Sequence, residues 1–243
     1  MLAQLLIAIS MLIFAQPTAV EPAEELKELL PGIRVGDGIV EFDGTVAIDC
    51  HHPDTPDVFL EMLVTAPDSR EHESLVVASI KPSLLHAALL AGGFEPGSPI
   101  TRSDSGKQVP AHGGQVQVLV AVVEQGKAGD FVPIEVWVSH IDSEKTLDAE
   151  PNWTGLVFAG SIIDKAIYAA DFAGTLISLT SFGDEVIAPA WTISHQAEVN
   201  EPVWIANRDL VPKQGTPIRV RIEKISEASE SHQPDRIDID RDM

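Results

Sequence analysis

Apolar residues in this chain recur mostly at every second position, in short runs bounded by Gly, Pro, Asp and Ser, which is the pattern of a β-rich protein. Ile39–Phe42 and Thr45–Ile48 read as two short strands joined by an Asp43-Gly44 turn. Phe59–Thr65 and Ser74–Ile80 read as a second pair across the turn-rich stretch 66–69. Val116–Val123 and Ile134–Ser139 follow, both rich in the β-branched residues that suit a pleated surface. Leu156–Ile163, Ile167–Ala170, Thr175–Thr180 and a last strand at Pro217–Ile225 complete the set. Ahead of them, Ala23–Leu30 reads as a short acidic helix stopped by Pro31-Gly32.

One further segment breaks the two-residue rhythm. Pro82 suits a first helical position and Gly92-Gly93 an exit, so the sequence predicts a helix over about 82–92. At the helical angle, Leu84, Leu85, Ala88 and Leu89 cover one side while Ala87 and Leu90 cover much of the other, the pattern of a helix buried nearly all round. The expected fold is therefore α+β: a β-rich single domain of mostly antiparallel strands with one buried helix. No repeat period and no dividing linker suggests a second domain.

The chain ends read differently. Residues 1–20 contain no charged side chain, and Leu5–Ala15 is apolar apart from Ser10. Eleven helical residues span about 16 Å, half a bilayer core, which fits a signal peptide over residues 1–19 better than an anchor. Residues 20–32 form an N-terminal segment, 33–225 the β-rich domain, and 226–243 an acidic tail expected to be disordered. The expected location is periplasmic or secreted, with no membrane anchor after cleavage.

Charge narrows the partners. With 16 Lys+Arg against 37 Asp+Glu the formal net charge is -21, which excludes nucleic acid as a partner, because phosphate contact needs a basic surface. The lone Cys50 excludes an internal disulfide and an iron–sulfur cluster. Cys50-His51-His52 with Asp54 has metal-friendly chemistry, yet adjacent ligands do not converge readily, and the neighbouring prolines favour a loop. Asp238, Asp240 and Asp242 imitate the start of a calcium loop without its glycine or distal glutamate. Trp137, Trp153, Trp191 and Trp204 read as core or rim residues, or as a platform for sugar or peptide if exposed.

Four segments in order carry a family resemblance: Glu71-His-Glu-Ser-Leu75; Leu85-His-Ala-Ala-Leu-Leu90 with Pro96-Gly97; Trp153 through Phe158-Ala-Gly-Ser161; and Tyr168-Ala-Ala-Asp171 with Gly174. Together they resemble the YdjY-like family of exported bacterial domains, over roughly residues 33–225. The resemblance implies an exported α+β domain with no established reaction. The ferredoxin-type label borne by some relatives does not transfer to a chain with one cysteine.

The same residues supply the candidate chemistry. His72, Glu73, His86 and Asp171 form a candidate polar cluster: two imidazoles and carboxylates suit zinc or another divalent metal, and equally a general base held by Glu73. Strand alternation opposes both, since it points His72 and Glu73 apart unless a bulge re-aims one. The third reading is structural, with His86 a hydrogen-bonded core histidine and Asp171 part of a turn. No complete triad, phosphate loop or metal signature is present, and no cofactor is expected. The function expected is a non-catalytic binding or structural module of the cell envelope, with an envelope protein or small ligand as partner; the alternative is a metal-dependent hydrolase using His72, Glu73 and His86.

Overall fold

A computed structural model describes residues 26–54 and 57–225. The predicted leader and acidic tail lie outside the described residues. Ten strands and two helices carry the argument: β1 (Lys27–Leu30), β2 (Ile33–Gly36), β3 (Ile39–Val46), β4 (Met62–Thr65), β5 (Ser74–Val77), α1 (Pro82–Ala91), β6 (Gln115–Glu124), β7 (Leu156–Phe158), α2 (Ala169–Ala173), β8 (Thr175–Ser178), β9 (Ile187–Pro189) and β10 (Pro217–Lys224). Eight of these strands close into a barrel in the order β3-β10-β6-β7-β9-β8-β4-β5, with β5 pairing back onto β3.

Alternation explains the long strands. Val40 and Phe42 on β3, Ile218, Val220 and Ile222 on β10, and Val116, Val118 and Val120 on β6 are all buried and fill the core. Between them, outward positions carry charge. Arg34 pairs with Glu41 at 3.4 Å and Asp43 at 3.0 Å, Arg219 with Asp43 at 2.9 Å, and Arg221 with Glu41 at 2.7 Å. Burial works against the Asp43 carboxylate, but Arg219 and Arg34 outweigh it and hold its pKa below the usual value.

Several expectations are corrected. Asp43-Gly44 is no hairpin turn; β3 runs through it unbroken for eight residues. Upstream of it β3 pairs with β2, downstream with β5, while β10 follows the opposite edge throughout. The strand simply changes partner there. The acidic helix expected at Ala23–Leu30 is strand β1 over the described residues, because Pro31-Gly32, with Gly32 at φ 74°, reverses the chain into a hairpin with β2. Pairing thus overrides the helical preference of that Leu/Glu-rich stretch. Ile134–Trp137 forms a 3-10 turn, and only Val138–His140 is strand, paired with Trp204–Ala206. The β4/β5 and β8/β9 pairs are parallel and the rest of the barrel is antiparallel.

The helix stands where predicted, with Pro82 in its first turn and Gly92 capping its end, but it is not the single buried helix expected. Pro82, Leu85, Ala88 and Leu89 are buried, whereas Ala87 is exposed and Leu90 is 48% exposed. The helix lies against the barrel wall, contacting β2, β3 and β8, and its far side meets solvent. α2 is a second helix, missed because five residues carry no readable period.

The closure of β3 onto β5 yields a test. A Cβ added at Gly44 would stand 2.8 Å from both the Val77 carbonyl oxygen and Val76 Cγ1. Gly44→Ala therefore costs about 1–3 kcal/mol through overpacking, read as a lower urea midpoint; an unchanged midpoint would show that the seam is not tight.

Candidate functional site

The four residues picked from sequence are parted by the fold. His72 and Glu73 sit in a 3-10 turn, Glu71–Glu73, not in a strand, so the alternation argument does not apply to them. His72 Nε2 lies 3.7 Å from Glu73 Oε1, with its side chain 75% exposed. Asp171 accepts hydrogen bonds from the Ser83 N–H and hydroxyl, both at 2.7 Å. It thereby caps α1 from α2, supplying the carboxylate that Lys81, the helix's own N-cap residue, lacks.

His86 belongs to a separate network. Its Nδ1 lies 3.0 Å from the Gly160 carbonyl and 2.8 Å from the Tyr168 hydroxyl, which itself donates to Gly160 O at 3.0 Å. Phe158 and Tyr168 meet the ring edge-on. Burial pushes the His86 pKa down and the Tyr168 pKa up, so both groups are neutral at pH 7. Gly160 is required here: its φ is 85°, and a Cβ would stand 3.2 Å from His86 Cε1. Among the described residues, no group of three or more His, Cys, Asp or Glu is placed to hold a metal ion.

Glu73 finds its partner elsewhere. In the parallel β4/β5 register Met62 faces Ser74, so the preceding residues, Glu61 and Glu73, are neighbours. Glu61 N–H donates to the Glu73 carbonyl at 3.0 Å, and the Glu61 carbonyl accepts from the Leu179 and Thr180 N–H groups at 2.9 and 3.1 Å. Burial, then the Glu73 charge, pushes the Glu61 pKa from 4.5 to about 7 against the pull of Arg70, whose Nη1 donates to Glu61 Oε2 at 3.2 Å.

These carboxyls line a cleft of about 410 Å³ whose walls include Phe59, Thr180, His195, Glu201 and Trp204, with no Lys or Arg among its described lining residues. Beside it, the Arg70 guanidinium lies 4.3 Å over the Phe182 ring, which stacks on His195 at 4.6 Å. Ser194 and His195 also border a second hollow of about 260 Å³, with Arg102 and Gln108 on its far wall. A hollow of about 520 Å³ at residues 122–129 is lined by one hairpin alone. Trp204 and Trp137 are buried, Trp153 and Trp191 half-buried, so none of the four indoles is an exposed platform. The Trp204 Nε1 donor has no partner among the described residues.

Sequence reasoning missed Glu61 and His195. Glu61 had one signal, a lone charge inside the apolar run Val58–Thr65. Cys50 is buried, as expected, and His51 and His52 form loop contacts, His51 Nε2 with the Val211 carbonyl at 2.7 Å.

A second acid adds to the pH response. Glu185 is fully buried; its Oε2 accepts from the Gly183 and Asp184 N–H groups at 2.7 and 2.9 Å, while Oε1 has no partner among the described residues. Burial raises its pKa from 4.5 to about 7.

Two tests follow from this geometry. Asp171→Ala removes both acceptors at the start of α1 and costs about 0.5–2 kcal/mol in a urea titration; no loss would mean the cap is not felt. For Glu185 the folded state holds its proton where the unfolded chain has lost it, so this contribution is complete below pH 4.5 and fades as pH rises to about 7. Glu185→Gln therefore stabilises the protein at pH 8 by about 1–2 kcal/mol, roughly 2–8 °C in Tm, and flattens Tm against pH between 5 and 7. A variant less stable than wild type at pH 8 would contradict the burial of an ionised carboxylate there.

Comparison with known proteins gives one match: the family model described as YdjY domain matches residues 36–223. No curated protein and no solved structure matches the chain.

Proposed function

Since the chain belongs to the YdjY domain family, we propose that it is an exported, non-catalytic binding module of the bacterial cell envelope whose ligand sits in the cleft between Phe59 and Trp204. One observation carries this reading. The cleft gathers apolar and polar side chains from four separate stretches of chain, around residues 59–61, 73, 180 and 193–204, into a concavity of about 410 Å³, within the range of small-ligand sites. Its polar groups are held by partners within the fold: Glu61 by Arg70 at 3.2 Å, and His195 Nδ1 by the Ser181 carbonyl at 3.3 Å. Groups arranged this way recognise and orient; none is a nucleophile held against a free base.

Export rests on the uncharged, apolar run in residues 1–20. The hydrolase alternative needs His72, Glu73 and His86 together, and no observation favours it: Glu73 pairs with Glu61, and His86 with Tyr168 and Gly160.

Two measurements test the two halves. Fractionation of producing cells, with amino-terminal sequencing, is expected to find a mature chain starting near residue 20 outside the cytoplasm; a full-length cytoplasmic chain would end the export reading. A fragment screen followed by amide chemical shifts is expected to move Thr180, His195 and Val203, with Phe59→Ala weakening those hits about tenfold. Hits that all map elsewhere would end the cleft reading.

A further inference from the structure

Resting on that cleft reading, we propose that the ligand is an organic cation, a primary amine whose apolar body lies against Phe59 and Trp204 and whose ammonium lies between Glu61 and Glu73.

The backbone sets the two residues side by side at the cleft. Glu61 is fixed on one side by its N–H bond to Glu73 O, and on the other by the Leu179 and Thr180 N–H groups. Neighbouring carboxylates repel each other unless a proton or a cation lies with them. Arg70 supplies one positive charge against two carboxyls, and its guanidinium is spoken for by Glu61 and the Phe182 ring. With both carboxyls ionised, one negative charge remains unbalanced in a concavity that Glu201 makes more negative.

The surroundings choose the kind of cation. A bare metal ion would want three or more oxygen or nitrogen ligands, and no such group is placed for one among the described residues. An ammonium needs only two or three acceptors, and carries an apolar body that the remaining wall can bury. Phe59, 38% exposed, together with Ile193, Val203 and Trp204, provides that wall. Trp204, 6% exposed, closes the same wall. An anion would meet three glutamates and no lining Lys or Arg. The net charge of -21 steers cations towards the molecule and repels anions.

Binding also moves a proton. The charged and titratable groups around Glu61 are Glu73, Arg70, Glu201, His195 and, 3.7 Å from Glu73, His72. An arriving ammonium takes the place of the proton that Glu61 holds, and that proton passes to buffer.

The test is a charge series on one body: 2-phenylethylammonium, 2-phenylethanol and 3-phenylpropanoate, titrated calorimetrically into the full chain at pH 6.5. The ammonium is expected to bind at least about tenfold tighter than the alcohol, the propanoate not to bind, and the ammonium's apparent enthalpy to differ between phosphate and MES as a proton is released. Glu61→Gln with Glu73→Gln should weaken the ammonium about tenfold and leave the alcohol unchanged. If that double variant does not fold, the series on the unaltered chain decides alone. An alcohol that binds as tightly as the ammonium overturns the amine proposal, and the cleft reading survives if Phe59→Ala weakens that alcohol. If the ammonium shows no saturable binding the amine proposal is overturned, and the fragment screen judges the cleft independently.

Discussion

The partner change of β3 at Asp43-Gly44 is the constraint on which the barrel depends. One edge of this strand holds β2 along its first half and must hold β5 along its second, so the chain needs a point where neither partner is displaced by a side chain. Glycine supplies it, because any Cβ there would press on the Val77 carbonyl. Asp43, beside it, anchors the opposite direction through Arg34 and Arg219, tying β2 and β10 to the same bend. Without this junction the sheet would continue as an open ribbon through β2 and β1, and β4 and β5 would have no frame to lie against.

The candidate site inherits its geometry from that closure. β5 is held by β3 on one side and by β4 on the other, and it is the parallel register of β4 and β5 that sets Glu61 beside Glu73. Keeping two carboxyls together in a partly desolvated place costs stability at neutral pH. The arrangement stands in a concavity and not in the apolar core. Glu185 shows the contrasting case: the same raised affinity for a proton, but sealed from solvent and from the cleft lining.

Legibility in the sequence followed the range of the interactions involved. β6 and β10 were readable because each buries alternate β-branched residues whatever its partner, and α1 because Pro82 and Gly92 mark its ends locally. The family resemblance was readable too, and the matched span confirms it. What failed were features decided by strand pairing and not by local composition. Lys27–Leu30 has the composition of a helix and becomes a strand through β2; Asp43-Gly44 has the form of a hairpin turn and becomes a through-strand because β5 requires it. Of the predicted quartet, Glu73 alone reaches the cleft. Its true neighbour, Glu61, lies twelve positions upstream and is brought alongside only by a parallel register that no local pattern encodes. His86 and Asp171 make internal contacts: one ties the Gly160 loop to α1, the other caps that helix.

Closing the sheet has one more effect, on how copies of this protein behave in a crowd. An open sheet of this size would offer long rows of unpaired amides to its neighbours, an invitation to strand addition and fibre growth. Here the only strands of the large sheet left outside the ring on the described chain are short: β1 and β2 at one side, and the two-residue strands Lys127–Ala128 and Val132–Pro133 against β6. The outermost ones carry Lys27, Glu28, Lys127 or Pro133, residues that resist being extended by another chain. The barrel can therefore be packed densely, with copies repelling one another by charge and offering little backbone to grasp.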